Sequence, residues 1–280
     1  EYSLGGAGNV VNNLHALVCE NIHVFGVVGT DPWGQILMQN LYKLNVNCEG
    51  IITQEKHWAT PAYVKPYKKQ NELNRIDFGN FNKLDSYTLN SLLSCLEKEL
   101  PELEIVIISQ QIEGSLFVDE FIEKLLILID KFCDTLFIVD SRHNSEDFPG
   151  AILKLNDFIA ERMVENITHK GDAVTRENAI KTAKTLYKKF KKTIFITCGL
   201  NGCILMDEGI IKEIPSINIT RKIDTVGAGD SMLAGICIGL VSGQDAYNSA
   251  CLGTLAAAVT IQKLYQTGTV SPEELLKMAS

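Results

Sequence analysis

Three small residues run into a carboxylate at Gly227-Ala228-Gly229-Asp230, and an apolar, helix-like segment follows at once, reaching Leu240. Small residues let a ligand approach the backbone closely. The first turn of a following helix offers unpaired N–H groups and a positive dipole end, which together favour an anion. A carboxylate beside such a hole can take a proton from a hydroxyl while the hole steadies a transferring phosphoryl group. Taken alone, the pattern reads equally well as a helix whose N-terminus is capped by Asp230.

Chemistry of that kind needs a rigid frame, and the chain supplies one by alternating strand-like with helix-like segments. Ile22 to Gly29 is an apolar, β-branched run ending in glycine, and Ile36, Leu37, Leu41 and Leu44 then recur at helical spacing. Glu104 to Gln110, Thr135 to Asp140 and Thr193 to Gly199 read as further buried strands, and a helix follows the first of them from Val118. Near-continuous apolar strands separated by helices predict an α/β domain with a mostly parallel sheet covered on both faces. In such sheets ligands bind beyond the carboxyl ends of the strands, which singles out Asp31, Gln110, Asp140 and Gly199. From Asn45 to about Phe81 the helix pattern is lost and short strands with turns replace it, as expected of a β lid or dimer clasp inserted in a single domain spanning residues 1–280. Ser271, Pro272 and Glu274 predict the capped start of a final short helix.

Composition narrows the partners. The net charge is -8, so the surface repels nucleic acid. Lys188, Lys189, Lys191 and Lys192 read as a solvated helix end that complements the dipole. Six of the eight cysteines lie among apolar residues with no C-x-x-C pair, as expected of core thiols in a reducing compartment. The histidines show no metal-ligand spacing. No apolar run is long enough for a membrane span and no signal peptide opens the chain, so a cytoplasmic protein is expected.

The stretch Asp224 to Ile236, DTVGAGDSMLAGI, closely resembles the C-terminal signature of the ribokinase (PfkB) family of carbohydrate kinases. The resemblance implies a three-layer α/β/α sandwich with a small β lid. It also implies Asp230 as catalytic base, Gly227, Ala228 and Gly229 as the anion hole, and Asp224 and Thr225 near the phosphates of ATP. Glu1 to Val10 resembles the family's G-G-x-x-N element, which places Gly5, Gly6 and Asn9 on sugar hydroxyls. Gly26 to Gly34 is similar to its G-x-x-G-x-D-x-x-G stretch and places Asp31 and Gly34 beside the sugar. Ile196 to Asp207 resembles its T-x-G-x-x-G turn, where Thr197, Gly199 and Gly202 line the nucleotide. Within the family, the opening stretch and the lid sequence TPAYVKPYKKQNELNRIDF look like the branch that phosphorylates the anomeric hydroxyl of a heptose 7-phosphate with ATP and Mg²⁺. Lys65 and Arg75 on the lid could then meet the sugar phosphate; equally, they could be exposed charges that block edge pairing. A kinase for another sugar or a nucleoside, and a weakened kinase-fold binding protein, stay open. The lid strands are expected to pair across a two-fold axis.

Three departures from the family pattern stand out. Its N-x-x-E motif, whose Glu supports Mg²⁺, would fall at Asn156, yet the third residue on is Ile159; Glu161 and Asp157 are the candidates left. The chain opens at the G-G-A-G-N element, where the family has a first strand upstream that supplies an aspartate to the sugar, so a gap in the sheet is expected. Val11 stands where the family prefers a small residue. Arg142, just past a strand end, could reach a phosphate, but is read first as a surface ion-pair partner of Glu146 or Asp147.

Overall fold

The computed structural model describes residues 2–68, 71–113, 115–165, 174–264 and 266–280. Strand β1 (His23–Val28) and β2 (Asn47–Thr53) form a parallel pair. A six-stranded sheet runs in the order β12 (Ile210–Ile214), β11 (Cys203–Asp207), β10 (Ile194–Thr197), β9 (Ile152–Asn156), β8 (Leu136–Ser141), β7 (Ile105–Gln110). Strands β7 to β10 are parallel, and the β11 and β12 ladders are antiparallel. Among the described residues no strand joins β1 to β7.

The two pieces are tied together by the helical layers. On one face, α3 (Ser86–Glu99), α4 (Asp119–Lys131), α5 (Asp157–Glu165) and α6 (Arg176–Phe190) bury their apolar stripes against the sheet, and Phe25, Val27 and Ile52 of the two-stranded piece join that core. On the other lie α1 (Ala7–Ala16), α2 (Pro32–Lys43), α7 (Ala228–Val241), α8 (Ala246–Thr260) and α9 (Pro272–Ala279). Leu14 of α1 packs with both pieces. Helices α7 and α8 are apolar nearly all round, as helices buried in a core must be. Each buried Leu or Ile in these layers contributes about 1.5–3 kcal/mol. The predicted capping box is present: Glu274 N donates to Ser271 Oγ, and Ser271 N to Glu274 Oε2.

Two expectations on organisation need correction. Asn47–Thr53 was read as part of the lid, but it pairs in parallel with β1 and belongs to the main layer. The lid proper is two small antiparallel ladders, β3 (Ala62–Val64) with β6 (Ile76–Phe78) and β4 (Tyr67–Lys68) with β5 (Asn71–Glu72). Residues 69 and 70, also within the predicted lid, lie outside the described residues. Second, the segment around Asn156 is a central strand running directly into α5, where the sequence suggested a metal-supporting loop.

Candidate active site

The site forms where α1 and α7 start side by side. Gly227 is the N-cap of α7 at a φ of 82°, a conformation glycine adopts without strain. A Cβ there would also stand 3.0 Å from Asn9 Nδ2. Past this turn, Ala228 N donates to Thr225 O and Ser231 N to Gly227 O. The N–H groups of Gly229 and Asp230 have no acceptor among the described residues. This is the exposed first turn that an anion would fill.

Asp230 does not cap the helix. It sits inside the first turn, and Oδ2 accepts a 2.7 Å hydrogen bond from Asn9 Nδ2 across 221 residues of sequence. Asn9 is fully buried, and its carbonyl and Oδ1 accept from Asn13 Nδ2 in turn. Burial pushes the Asp230 carboxyl above its ordinary value. The Asn9 hydrogen bond and the Lys154 and Arg142 charges pull it back, while Asp140 pushes it further up. The result is a carboxylate with one oxygen fixed and a raised affinity for a proton, as a base for a hydroxyl needs.

Two of the groups around Asp230 were missed or misread in the sequence. Lys154 on β9 is buried and donates to Asp140 Oδ2 on β8 at 3.0 Å. The signal was there: a lysine interrupts the apolar run Ile152 to Leu155 at the alternate position. Arg142 makes no ion pair with Glu146 or Asp147 among the described residues; its charge acts on Asp230 instead, while Asp147 Oδ2 accepts from Asn144 Nδ2. Beside them, Gln110 Oε1 accepts from Ser141 Oγ and His143 N, which locks the carboxyl ends of β7 and β8 together.

The turn expected to line a nucleotide stands at the end of β10. Thr197 Oγ1 donates to Leu155 O, and Cys198 N to Gly202 O at 2.8 Å. Gly202 has a φ of 82°, and a Cβ would lie 2.1 Å from Ile214 O, so only glycine closes this turn. Gly199, with a φ of 54°, is exposed beside it. Asp224 Oδ1 accepts from Val226 N, shaping the segment that leads Thr225 into α7.

The remaining candidates are placed differently from expectation. Asn9 was assigned to a sugar hydroxyl, but its amide nitrogen is given to Asp230. Gly6 is the N-cap of α1, its position for a Cβ 3.3 Å from Gln111, and Gly5 is exposed with open space around it. Asp31 caps α2: Oδ1 accepts from Trp33 N and Gly34 N, and Oδ2 from Thr60 N. Burial raises its pKa, but those hydrogen bonds outweigh burial and hold the carboxyl below its ordinary value. Both oxygens are engaged in joining β1, α2 and the root of the lid. Arg75 forms a two-pronged ion pair with Asp77 and lies 4.2 Å over the Tyr63 ring, within the lid itself. Lys65 is exposed just past β3.

The metal pair is not assembled. Asn156 Oδ1 accepts from Ile159 N at 2.7 Å and so caps α5. Ile159 is buried in the core, and Glu161 faces α6, where Asn178 Nδ2 reaches Oε1 at 3.5 Å. Among the described residues no three His, Cys, Asp or Glu side chains cluster as a metal site. Asn156 and Glu161 thus face different partners at this element. The eight cysteines are all free; burial pushes the Cys198 thiol up to about 11 and that of Cys203 up to about 12. Cys198, Cys203 and Cys237 are buried, inert core thiols, whereas Cys133 is exposed.

Comparison with known proteins decides the family, because the model of the pfkB family carbohydrate kinases matches residues 1–273. The chain belongs to the pfkB family of carbohydrate kinases. As such it is an ATP-dependent carbohydrate kinase. Among curated relatives of this pfkB chain, the bifunctional protein HldE of Desulfatibacillum aliphaticivorans is 27% identical over 98% of the chain, and that of Vibrio cholerae serotype O1 26% over 97%. In each case the chain spans 54% of the relative's length. Its fold is shared with ribokinase from Thermotoga maritima (TM-score 0.76, 20% identity, 98% of this chain and 87% of that one). It is likewise shared with phosphofructokinase-2 from Escherichia coli (TM-score 0.77, 19% identity, 99% and 87%). No helix among the described residues is long and apolar enough to cross a membrane.

Proposed function

We propose that this pfkB kinase transfers the γ-phosphoryl group of ATP to the anomeric hydroxyl of a heptose 7-phosphate. The observation that carries the reaction is the Asp230 carboxylate, held by Asn9 beside the open first turn of α7. In the step, the sugar hydroxyl gives its proton to Asp230 as its oxygen bonds the γ-phosphorus. The bond from that phosphorus to the β,γ-bridging oxygen breaks, and ADP leaves. The N–H groups of Gly229 and Asp230 face the charge that develops on the phosphoryl oxygens. Asp224, Thr225, Thr197, Gly199 and Gly202 are the residues that would line the nucleotide, and Mg²⁺ enters as part of the MgATP substrate. A cytoplasmic setting, where ATP is at hand, goes with this reading.

Support for a heptose phosphate comes from the likeness to HldE proteins along nearly the whole chain and from the lid sequence. On the lid, Lys65 and Arg75 are the cations offered to the 7-phosphate, and Arg75 would have to exchange Asp77 for it. Tyr63, Leu73, Ile76 and Phe78 are exposed large apolar residues of the same lid, which supports pairing with a second copy there. The test is ADP release over a panel of phosphorylated heptoses, hexoses and nucleosides. Turnover confined to a heptose 7-phosphate sustains the reading, and preference for a hexose phosphate or nucleoside replaces the acceptor. The unassembled Asn156 and Glu161 pair favours one further reading, a kinase fold that binds ATP without turnover. ATP binding by calorimetry with no ADP released on any acceptor would establish that alternative.

A further inference from the structure

Strand β9 carries its side chains alternately to the two helical layers. Leu153 and Leu155 are fully buried in the core beneath α3 to α6. Lys154 between them points the other way, toward α7, and is only 4% exposed. Its ammonium lies 3.0 Å from Asp140 Oδ2, and the two side chains are 5% and 12% exposed. A Cβ on Gly229 would stand 3.2 Å from Lys154 Nζ. The ammonium therefore sits directly against the backbone of the first turn of α7, one residue from Asp230.

An ion pair buried this deeply is a poor stabiliser. Desolvating both charges costs about as much as their attraction returns, and packed apolar residues do as well or better. The neighbouring strand positions show that apolar residues fit this sheet. What a leucine could not do is carry a fixed positive charge to the place where Asp230 must stay ionised and phosphoryl oxygens must gather.

We propose that Lys154, anchored by Asp140, is a positioning residue for charge: its ammonium beneath Gly229 keeps Asp230 a carboxylate until a hydroxyl proton arrives. This rests on reading Asp230 as the base. The charged and polar groups that face Asp230 are Asn9 from α1, Asp140 from β8, Lys154 from β9 and Arg142 from the segment after β8. Arg142 is exposed and screened by salt; Lys154 is not. Asp140 has two opposed effects, holding Lys154 in place and opposing the ionisation of Asp230.

The test uses the signs of these effects. Asp230 is followed directly by the ¹³C carboxyl signal of aspartate-labelled protein, assigned through the Asp230→Asn variant, and by the acid limb of ADP release with heptose 7-phosphate. Lys154→Met is expected to move the Asp230 midpoint up by roughly one unit, Asp140→Asn to move it down, and the two together to return it toward wild type. Lys154→Arg keeps the midpoint. A packing role would lower activity in all of them without opposed shifts. Unmoved midpoints in folded Lys154→Met and Asp140→Asn overturn the proposal. If Lys154→Met does not fold, Lys154→Gln takes its place, and a midpoint that fails to rise in it is then the overturning result. The carboxyl signal is independent of turnover, so an Asp230→Asn variant that still turns over would remove the base assignment while the titrations still judge Lys154.

Discussion

Asp31 and Asp230 stand at the N-termini of α2 and α7, and they have opposite fates. Asp31 precedes α2 in an extended conformation, and three backbone N–H groups converge on its two oxygens. Asp230 lies inside the first turn of α7, takes a single side-chain hydrogen bond, and leaves the N–H groups of that turn for something else. The first carboxyl is held below its ordinary value and the second pushed above it. A three-residue difference in position along the turn separates a cap from a base. Where the backbone donors satisfy the carboxylate, the helix end is closed; where they are withheld, it is open to substrate.

The largest effect that would break this contrast is on turnover. Asp230→Asn is expected to lower kcat by about 10²–10⁴-fold while calorimetry still shows ATP binding. The same variant should be more stable than wild type at neutral pH. A carboxyl whose folded pKa is raised binds more protons folded than unfolded, so stability falls as pH rises through that window. The gain in melting temperature should shrink as pH falls through the raised folded value and vanish below the unfolded one, about 3.9. Near wild-type turnover, or a destabilised Asn variant at pH 7, would count against a strained functional carboxylate.

Next in size is the bond that fixes it. Asn9→Ala removes the donor to Asp230 Oδ2 and leaves burial unopposed there. Hydrogen bonds to charged groups contribute about 1.5–3 kcal/mol, so a fall of roughly tenfold in turnover at pH 7 is expected, with partial recovery as pH is raised. A loss that is flat with pH would instead favour direct contact of Asn9 with the sugar.

These two residues also show what a sequence can and cannot say. The alternation of apolar runs, the Gly227 to Asp230 turn and the Ser271 cap were legible because they depend on neighbours in the chain. The Asn9 partnership spans 221 residues, and nothing local announces it. Lys154 left a local trace, a charge at the wrong phase of a strand, whose meaning depends on α7 lying over it. The capping role of Asp31 was not legible because a cap and a ligand need the same residue; the positions of the Trp33, Gly34 and Thr60 nitrogens reveal the cap. The lid boundary failed for a related reason: β2 is only partly buried along most of its length, and its parallel pairing with β1 is set by tertiary contact.

Asp31→Ala sharpens the other half of the contrast. It removes a helix cap and the strap to Thr60, and about 1–2 kcal/mol of stability should go with it at neutral pH. Here the folded pKa is lowered, so the contribution of the wild-type carboxylate is present above the unfolded value and lost as pH falls through the folded one. Wild type and variant should therefore converge in acid, as at Asp230, but from the opposite side: here wild type is the more stable form at neutral pH. Denaturant melts at several pH values measure both. Loss of sugar affinity without loss of stability would return Asp31 to the sugar site.

The smallest expected effect concerns a carboxylate that belongs to neither class. Glu161 lies past the first turn of α5, faces Asn178 on α6, and sits on the far side of a helix start whose cap is Asn156. The helix begins immediately after β9, so the third residue beyond Asn156 is carried into the core as Ile159. No rotation of α5 brings Glu161 to the Asn156 side chain without withdrawing that core residue. Glu161→Gln should thus change turnover by less than about twofold at saturating MgATP, within the small range typical of exposed side chains without a buried partner. Asn156→Ala should cost about 1 kcal/mol as a lost cap and leave the dependence on Mg²⁺ concentration unchanged. A large drop in kcat for Glu161→Gln, rescued by higher Mg²⁺, would show that α5 re-forms around the nucleotide and would put a third carboxylate beside the other two.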